Sequence, residues 1–408
     1  MVSFSQISKL TLKKLNKKTA LYVWIININK KGDSLWFITG QDSSSCIQIV
    51  VKNKELISHL KQINKGDLLK IWGIIKIKKP EKDSKKAETP EIELTKFQLI
   101  NSSKELPFEI KDKIEIGINE DTRYRYRYLD LRRPRRFIDV ETPILAQNSP
   151  EGANCFVVPS NLKNRYYTLP QSPQIFKQLL MMGGLGKYYQ IAKSFRNEGA
   201  RSNRQIEFSQ LDLEMSFTSV REIKRLVEKL LQRTLKKVFG SQIQIPFLSL
   251  TYQEIMKKYG TDKPDLRSNP KNEKDFRHPF TIPQKKYIKP LLNNKIEPEK
   301  VICEAFDLVC NGEEILSGSI RIYQRELQEK ILEILGYSPE AREKNFGYFL
   351  QALEFAAPPH GGIGLGIDRL LAVILNTNNL KELIAFPKNI DGSCSLTKAP
   401  NLIKKIAK

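Results

Sequence analysis

In the segment from Leu169 to Met181, polar residues precede apolar residues that recur at helical spacing. Ser172 stands where the start of a helix favours a capping hydroxyl. Gln174 and Lys177 are three residues apart, so both would lie on one face of the first turn. The segment predicts a helix that presents an amide and a cation to a ligand, although a capped surface helix without a ligand fits the same pattern.

Two β-rich segments, 189–198 and 204–217, flank a charged loop and predict a hairpin. Because side chains alternate along a strand, four residues of the second segment would share one face: Phe208, Gln210, Asp212 and Glu214. Arg196 and Glu198 would share a face of the first strand in the same way. A face of amides and acids makes a poor core and a good polar pocket, and a solvated hairpin face is the alternative.

Carboxylates and glycines mark the later part of the chain. Asp307 and Glu314 flank a short turn, and Arg321 follows a run of small residues. Paired carboxylates near arginine suit a magnesium–phosphate site. The glycine-rich stretch 360–366 leads into an apolar helix with Arg369 in its first turn, which predicts an anion site. Its glycine spacing resembles a dinucleotide fingerprint only loosely, because no βαβ unit with a ribose-binding acid follows.

Composition narrows the class of protein. The chain carries 68 Lys and Arg against 45 Asp and Glu, a net charge of +23, which favours polyanionic partners such as nucleic acid. It has no apolar run of the roughly 20 residues that a membrane span needs, and its first residues lack the apolar core of a secretory signal. Five scattered Cys and three His argue against a zinc site and a disulfide framework, and favour the cytoplasm.

Short β-rich runs separated by turn clusters fill residues 1–105, which contain lysine but no arginine. Five runs can be distinguished: 20–26, 35–39, 46–51, 68–75 and 92–98. This pattern predicts a small β-barrel. The basic composition and the strand aromatics favour the five-stranded barrel that binds oligonucleotides, and a barrel with solvated lysine-rich loops is the alternative. Residues 78–90 predict a mobile loop within it.

Arginine appears in quantity from Arg123 onward, after a connector at 106–122. Beyond the connector, β-rich runs alternate with helical ones. The apolar period of a helix predicts four helices: 219–239, 325–335, 340–356 and 366–375. These runs predict a larger second domain, 123–408, that combines strands and helices.

Taken together, the segments resemble motifs 2 and 3 of the class II aminoacyl-tRNA synthetases. The resemblance is carried by a Phe-Arg-x-Glu sequence, a charged loop, a second strand with Phe208, and a Gly-x-Gly-x-Asp-Arg sequence that opens a helix. Further segments follow the order of the bacterial aspartyl-tRNA synthetase family: 123–134, 141–145, 149–152, 171–178, 260–267, 278–281, 318–322 and 385–388. They cover most of the chain.

The resemblance implies an α+β fold, in which an N-terminal five-stranded OB-type β-barrel precedes a class II catalytic domain with an antiparallel sheet flanked by helices. The anticodon-binding barrel would span 1–105, a hinge 106–122 and the catalytic domain 123–408. The implied activity is that of an aspartate–tRNA ligase, which forms aspartyl-adenylate from L-aspartate and ATP with Mg²⁺. It would then transfer aspartate to the 3′ end of tRNA(Asp), as a cytoplasmic homodimer without membrane contact.

The resemblance also implies roles for individual residues. The residues that would contact aspartate are Glu151, Ser172, Gln174, Lys177, Arg196, Gln210, Asp212, His278 and Arg321, with Lys177 and Arg321 on its side-chain carboxylate. The residues that would contact ATP are Arg196, Asn197, Glu198, Gln205, Phe208, Glu314, Gly366, Ile367, Asp368 and Arg369. Asp307 and Glu314 would hold the metal, and the catalytic residues would be Arg196, Glu314 and Arg369. The anticodon would be read by Phe37, Gln48 and Glu93.

Two shortened segments depart from the family. Six residues separate Pro134 from Glu141, where the family has the long motif 1 helix of its dimer interface. Six residues cannot form that helix, so the sequence predicts a weakened homodimer. Ten residues separate Arg267 from His278, where bacterial members insert a domain.

Three other functions fit parts of the pattern. A tRNA-binding relative that has lost catalysis is disfavoured because a decayed site would have lost at least one of five residues that are all present: Arg196, Glu198, Glu314, Arg321 and Arg369. An asparaginyl- or lysyl-type synthetase is disfavoured because Lys177 with Arg321 suits an anionic side chain. A barrel-free aspartate–ammonia ligase is disfavoured by the N-terminal barrel.

Overall fold

The computed structural model describes residues 6–10, 14–78, 88–110, 119–132, 140–148, 152–264 and 279–401. Several sequence predictions lie outside these ranges. Glu151 and His278 are among them, as are nearly all of the residues between Pro134 and Glu141 and the shortened segment 268–277.

Five strands close into a barrel in the N-terminal part. They are β1 (Lys18–Lys31), β2 (Leu35–Gln41), β3 (Cys46–Val51), β4 (Leu68–Lys78) and β5 (Thr89–Asn101). Their order around the barrel is β1-β2-β3-β5-β4, with β3 and β5 parallel and the other neighbours antiparallel. Alternating apolar residues such as Leu21, Ile38 and Ile71 fill the interior, which agrees with the alternation in the sequence.

The predicted strands are confirmed, and each lies within or matches an observed strand. The predicted loop 78–90 is too wide, because Lys78 ends β4 and Thr89 begins β5; residues 79–87 lie outside the described ranges. The sequence analysis missed helix α1 (Lys54–Leu60). Its signal was Asn53, whose side chain accepts a hydrogen bond from the Leu56 N–H as an N-cap.

The second domain is built on an antiparallel sheet of five strands in the order β10-β11-β12-β9-β8. The strands are β8 (Lys187–Phe195), β9 (Glu207–Ser216), β10 (Ala305–Cys310), β11 (Glu313–Ile320) and β12 (His360–Gly366). A separate hairpin joins β6 (Val157–Pro159) to β7 (Tyr166–Thr168). A closed barrel followed by this antiparallel sheet confirms the α+β prediction.

Helices surround the sheet. They are α2 (Glu120–Arg125), α3 (Arg127–Asp130), α4 (Gln174–Met182), α5 (Val220–Phe239), α6 (Tyr252–Tyr259), α7 (Lys285–Leu292), α8 (Arg325–Ile334), α9 (Pro339–Leu353) and α10 (Ile367–Ile374). The four predicted helices are confirmed as α5, α8, α9 and α10, with small differences at the ends. No helix in the described part of the chain is long and apolar enough to cross a membrane.

The two faces of the sheet have different chemistry. On the back face, Leu213 and Met215 of β9 and Ile363 of β12 pack with Ile223 and Val227 of α5 in one apolar cluster. Because side chains alternate, the intervening residues of β9 and β12 point to the front face. The front face is the polar one, and it holds the candidate site.

The barrel contacts the second domain through stacked aromatic rings and through hydrogen bonds to backbone carbonyls. The rings of Tyr22 and Phe217 stack with centroids 4.3 Å apart, and Trp24 Nε1 donates to the Ala356 carbonyl at 3.0 Å. The Arg132 guanidinium lies 4.9 Å from the Trp24 ring centroid and donates to the carbonyls of Met182 and Phe355. These contacts join β1 of the barrel to the C-terminal end of α4 and to the segment that enters β12.

Candidate active site

The floor of the site is formed where β9 pairs with the glycine-rich strand β12. Glu214 lies opposite Gly362, and Asp212 lies opposite Gly364. A Cβ atom added to Gly362 would lie 2.2 Å from the Glu214 Oε2 and 2.0 Å from the Leu213 carbonyl oxygen. Because no side chain fits there, the glycine gives room to the carboxylates of β9. The glycine spacing of β12 is therefore explained by strand packing rather than by a phosphate loop.

Two cations and two carboxylates form a buried network on this floor. Lys177 Nζ lies 2.7 Å from the Asp212 Oδ1, 3.4 Å from the Glu214 Oε2 and 3.0 Å from the Ile363 carbonyl. Arg321 Nε donates to the Glu214 Oε1 at 3.0 Å. All four charged residues are buried, and Glu214 has no solvent-exposed surface. Buried charges of this kind are stable only when paired and hydrogen-bonded.

The electrostatics keep Glu214 ionised. Burial alone would raise the pKa of Glu214, but Arg321 and Lys177 outweigh it and hold the pKa below its ordinary value. Arg321 donates through its Nε, through one Nη to Glu214, and through the other Nη to the Ser319 hydroxyl. These bonds use three of the five guanidinium N–H groups, so two have no partner among the described residues and can donate to a ligand.

Helix α4 brings Gln174 and Lys177 to the same side, as the sequence predicted. Both side chains are buried, and the Gln174 Nε2 has no hydrogen-bond partner among the described residues. The N-cap residue is Pro173 rather than Ser172, yet the Ser172 hydroxyl still accepts from the Gln174 N–H at 3.2 Å. A buried amide donor without a partner is costly unless a ligand completes its hydrogen bonding.

The prediction that Arg196 and Glu198 share a strand face is wrong, because β8 ends at Phe195 and both residues lie in the following loop. The Arg196 guanidinium nevertheless lies 5.2 Å from the Phe208 ring centroid, in a cation–π contact. Glu198 forms an ion pair with Arg204. The second strand also begins later than predicted, at Glu207, and its polar face is confirmed by the pairing with β12.

The loop between β8 and β9 is held in place by backbone hydrogen bonds. The Asn197 N–H donates to the Asn154 carbonyl at 2.8 Å. Gln205 is buried and exchanges two hydrogen bonds with the backbone of Lys388, at 2.8 and 3.4 Å. Because Asn154 follows closely after Glu151, the first contact brings that part of the chain to the loop, although Glu151 itself lies outside the described residues.

Asp307 and Glu314 lie together on the front face because the pairing between β10 and β11 contains a bulge. The register shifts between Leu308 and Val309, where Ile315 is the additional residue of β11. Burial raises the pKa of Asp307, and the neighbouring charge of Glu314 adds to that rise.

Two cations occupy the neighbourhood of this carboxylate pair. Lys263 Nζ lies 3.2 Å from the Glu314 Oε2, and an Arg369 Nη donates to the Glu314 carbonyl at 3.1 Å. Asp368, next to Arg369 at the start of α10, accepts from the Ser209 N–H at 3.3 Å. The described residues contain no group of three or more acidic, His or Cys side chains placed to bind a metal.

Sequence reasoning missed three residues of the site. Lys263 and Ser319 contact predicted site residues directly, as described above. His360 is wholly buried, with its Nδ1 2.7 Å from the Pro358 carbonyl and its Nε2 3.2 Å from the Gln178 Oε1. Burial lowers the pKa of His360 from its ordinary value of 6.5. The only signal for His360 in the sequence was its position at the start of the glycine-rich stretch.

The three predicted anticodon residues lie on one outer surface of the barrel. Strand alternation puts Phe37 of β2, Gln48 of β3 and Glu93 of β5 on the solvent side of neighbouring strands. Gln48 Nε2 donates to the Glu91 Oε2 at 2.9 Å, and Lys52 Nζ lies 3.4 Å from the Glu93 Oε2. A half-buried ring beside polar groups is suited to stacking and hydrogen bonding with an unpaired base.

Comparison with protein families gives two matches that divide the chain as the structure does. Residues 133–390 match the family of class II tRNA synthetases (D, K and N), and residues 20–100 match the OB-fold nucleic acid binding domain. The chain belongs to the class II tRNA synthetases. The resemblance found in the sequence is therefore confirmed, and the protein is an aminoacyl-tRNA synthetase.

Relatives of this synthetase match over nearly their whole length. The aspartate–tRNA(Asp/Asn) ligase of Dictyoglomus turgidum is 32% identical over 567 aligned positions, covering 96% of this chain and 95% of that protein. The enzyme of the same name from Natranaerobius thermophilus is 31% identical, covering 96% of each chain. The aspartate–tRNA ligase 2 of Streptococcus mutans is 30% identical, covering 95% of this chain and 94% of that protein. These alignments are longer than the 408 residues of this synthetase, so the relatives contain segments that it lacks.

Proposed function

We propose that this synthetase is an aspartate–tRNA ligase, which activates L-aspartate with ATP and transfers it to the 3′ end of tRNA(Asp). The observation that carries the proposal is the buried Lys177–Arg321 pair on the pocket floor. Two desolvated cations, one with two unused N–H groups, suit a ligand carboxylate. Asp212 and Glu214 already pair with these cations, so the preference for aspartate rests on the remaining Arg321 N–H groups, which bind a carboxylate more strongly than an amide. The relatives named as aspartate–tRNA ligases support the same substrate.

The chemistry follows from positioning and charge. The α-carboxylate oxygen of aspartate attacks the α-phosphorus of ATP, the new P–O bond forms, and the bond to the departing diphosphate breaks. A carboxylate is already ionised and needs no general base, so catalysis rests on alignment and charge stabilisation. Arg196 would bridge the α-carboxylate and the α-phosphate, Arg369 would bind the γ-phosphate, and Phe208 would stack on adenine. The terminal hydroxyl of tRNA then displaces AMP.

The remaining pocket residues would orient aspartate and the nucleotide. Ser172 and Gln174, with the buried Gln174 amide as an available donor, would lie near the amino group and α-carboxylate together with Gln210 and Glu151. Asp212 holds Lys177 in position at 2.7 Å. His278 would complete the aspartate site. Asn197, Glu198, Gln205 and the turn 366–369 would border the nucleotide.

A Mg²⁺ ion fits Asp307 and Glu314, since hard oxygen ligands from carboxylates are what this ion prefers. Burial raises the pKa of Asp307 and the charge of Glu314 adds to that rise, so a divalent cation would favour the ionised form of both carboxylates. When bound, the ion would neutralise phosphate charge that develops as diphosphate leaves. Lys263 contacts Glu314 at 3.2 Å, so it would have to move aside.

The direct test is ATP–diphosphate exchange with each of aspartate, asparagine and lysine. Exchange that depends on aspartate alone supports the assignment. Exchange that depends on asparagine would favour the asparaginyl-type alternative. If no amino acid supports exchange while tRNA still binds, the chain is a tRNA-binding relative without catalysis.

The same proposal includes a homodimer and the domain division 1–105, 106–122 and 123–408, with the cytoplasm as its compartment. Support for a dimer comes from apolar side chains exposed on β8 and near Thr142: Ile144, Leu145, Tyr189 and Ile191, of which Tyr189 is 76% exposed. Exposed apolar surface of this kind marks interaction sites. The short segment after Pro134 leads us to expect a weakened dimer. Sedimentation velocity from nanomolar to micromolar protein tests this, and a dimer intact at low nanomolar concentration would contradict it.

A further inference from the structure

Helix α5 presents a face of six cations to solvent. The basic face consists of Arg221, Arg225, Lys229, Arg233, Lys236 and Lys237. At 100° per residue these positions lie within an arc of about 160°, along roughly 24 Å of helix. No ion pair joins any of the six to another described residue. The acids of α5 are engaged elsewhere, because Glu222 forms the N-cap contact with Ser219 and Glu228 accepts from the Phe247 N–H.

In another exposed helix of the same domain, the cations form ion pairs with acidic residues of that helix. In α8, Arg325 pairs with Glu329 at 2.8 Å and Lys330 pairs with Glu333 at 2.7 Å. Such pairs stabilise a solvated helix, whereas like charges four residues apart destabilise it. The basic face of α5 repeats that unfavourable spacing from Arg221 to Lys237. A solvated helix gains nothing from this arrangement, but a polyanion would neutralise it.

The basic face continues onto the barrel. Phe217, two residues before the N-cap of α5, stacks on Tyr22 of β1. Lys70 Nζ lies 5.6 Å from the Tyr22 ring centroid and 5.0 Å from that of Trp72, and Lys96 Nζ lies 5.5 Å from the same Trp72 ring. Cations alternating with aromatic rings form a surface of the kind that binds single-stranded nucleic acid.

This surface is separate from the proposed substrate sites. The apolar side of α5 packs against the back of the sheet, whereas the Lys177–Arg321 pocket lies on the front. On the barrel, β1 and β4 carry Tyr22, Lys70 and Trp72, whereas Phe37 and Gln48 belong to β2 and β3. Strand β5 carries one residue of each set, Lys96 and Glu93. Most of the apolar side of α5 packs against the sheet, which leaves little apolar surface with which to enter a lipid bilayer.

We propose that the basic face of α5, extended by Lys70, Trp72 and Lys96, binds the phosphate backbone of a second, single-stranded RNA segment while tRNA occupies the front of the enzyme. The cations would neutralise phosphates one helical turn at a time, and the barrel aromatics would stack with unpaired bases. Such binding is independent of sequence and strongly dependent on salt.

The test uses a labelled 20-nucleotide oligouridylate and full-length enzyme saturated with tRNA(Asp). The row variant carries Arg221→Gln, Arg225→Gln, Lys229→Gln and Arg233→Gln. The control variant removes the same charge from exposed lysines around α7, with Lys285→Gln, Lys286→Gln, Lys289→Gln and Lys295→Gln. Removing exposed like charges should leave both variants folded, which thermal melting checks. Oligonucleotide binding does not require aspartylation, so that readout stands even if the proposed substrate is wrong.

We expect wild type and the control to bind the oligonucleotide in the presence of saturating tRNA. The row variant should bind at least about tenfold more weakly, with a plot of log K against log salt less steep by about 3, since each phosphate contact on a single strand contributes about 0.7. The Michaelis constant for tRNA should be unchanged in both variants.

Four results would overturn the proposal. Complete displacement of the oligonucleotide by tRNA would mean that no second surface exists. If oligonucleotide binding is weakened equally in the row and control variants, the effect comes from net charge and not from the basic face. A higher Michaelis constant for tRNA in the row variant alone would assign the face to the substrate tRNA. If the row variant loses binding to phosphatidylserine vesicles but still binds RNA as wild type does, the basic face would be assigned to a membrane surface.

Discussion

The charged side chains of the pocket are buried, whereas those on the outer surface of the barrel are exposed to water. Lys177 and Arg321 are almost wholly buried, and each contacts a carboxylate at 3.0 Å or less. On the outer barrel surface, Lys52 is largely exposed and lies 3.4 Å from Glu93, itself one third exposed. Water screens the second pair and is excluded from the first. A single substitution should therefore be severe in the pocket and mild on the barrel.

The comparison also concerns what each region can recognise. A buried network has fixed partners and a fixed geometry, so it can distinguish a carboxylate from an amide. A half-exposed surface with a ring and adaptable polar groups can accept a base and exchange one partner for another. Selection of the amino acid and of the RNA would thus rest on different physics within one chain.

The largest effect is expected for Arg321→Leu. It leaves Glu214 without its main cationic partner in a buried site, which costs about 3–5 kcal/mol. We expect aspartate-dependent ATP–diphosphate exchange to be lost and the free energy of unfolding to fall by a similar amount. The matched control is Arg325→Leu, which removes a partly exposed arginine from α8 and should leave exchange unchanged.

A double variant separates stability from binding in this prediction. Arg321→Leu with Glu214→Leu replaces a buried ion pair by apolar side chains, which is often neutral for stability. The double variant should regain most of the lost stability and remain inactive. Near-normal aspartate-dependent exchange in Arg321→Leu would contradict the assignment of the pocket to aspartate.

The next effect concerns the barrel ring. Phe37→Ala removes one stacking surface and should weaken tRNA charging by about 1–3 kcal/mol, while aspartyl-adenylate formation is untouched. Phe37→Tyr keeps the ring and should behave as wild type. Measuring both half-reactions decides the matter, since an equal loss in both would make Phe37 a packing residue of the barrel.

Local patterns made the elements predictable from the sequence. Alternation predicted the barrel strands and the polar face of β9, and apolar periodicity predicted α5 and α9, because both patterns depend on neighbours within one element. The family motifs identified Lys177 and Arg321 as site residues. Helix α1 was missed because its seven residues are shorter than the window over which periodicity is visible.

Long-range contacts were not accessible in this way. Glu214 meets Arg321 across 107 residues of sequence, and no local rule connects them. The end of β8 at Phe195, which removed Arg196 and Glu198 from a common strand face, depends on where pairing with β9 stops. The bulge at Ile315 brings Glu314 beside Asp307, and simple alternation would have placed these two carboxylates differently.

A smaller effect should appear in the pH dependence of stability. Burial lowers the pKa of His360 below 6.5, and its surroundings include the charges of Glu214 and Arg321. Below pH 6.5, His360 binds a proton in the unfolded chain but stays neutral in the folded protein, so stability falls as the pH falls. The slope from one such group is at most about 1.4 kcal/mol per pH unit.

Urea unfolding of wild type and His360→Gln at pH 5.5 and 7.5 measures this contribution. We expect the difference between the two pH values to be smaller in His360→Gln. The exposed His59 provides the control, because His59→Gln should keep the wild-type difference. Identical pH dependence in wild type and His360→Gln would mean that His360 is protonated in the folded protein as readily as in the unfolded chain.

The smallest effect is expected for Lys52→Ala on the barrel. Its contact with Glu93 is an exposed ion pair, in which Coulomb attraction is screened and the ordering of two side chains offsets it. The free energy of unfolding should change by less than about 0.5 kcal/mol, and the change should be larger at 0.05 M than at 0.5 M salt, which screens the pair more strongly. Urea unfolding at both salt concentrations tests this beside Arg321→Leu. A decrease in the free energy of unfolding of more than about 1 kcal/mol would mean that Lys52 contributes as much as a buried cation. Burial would then no longer explain the difference between the two regions.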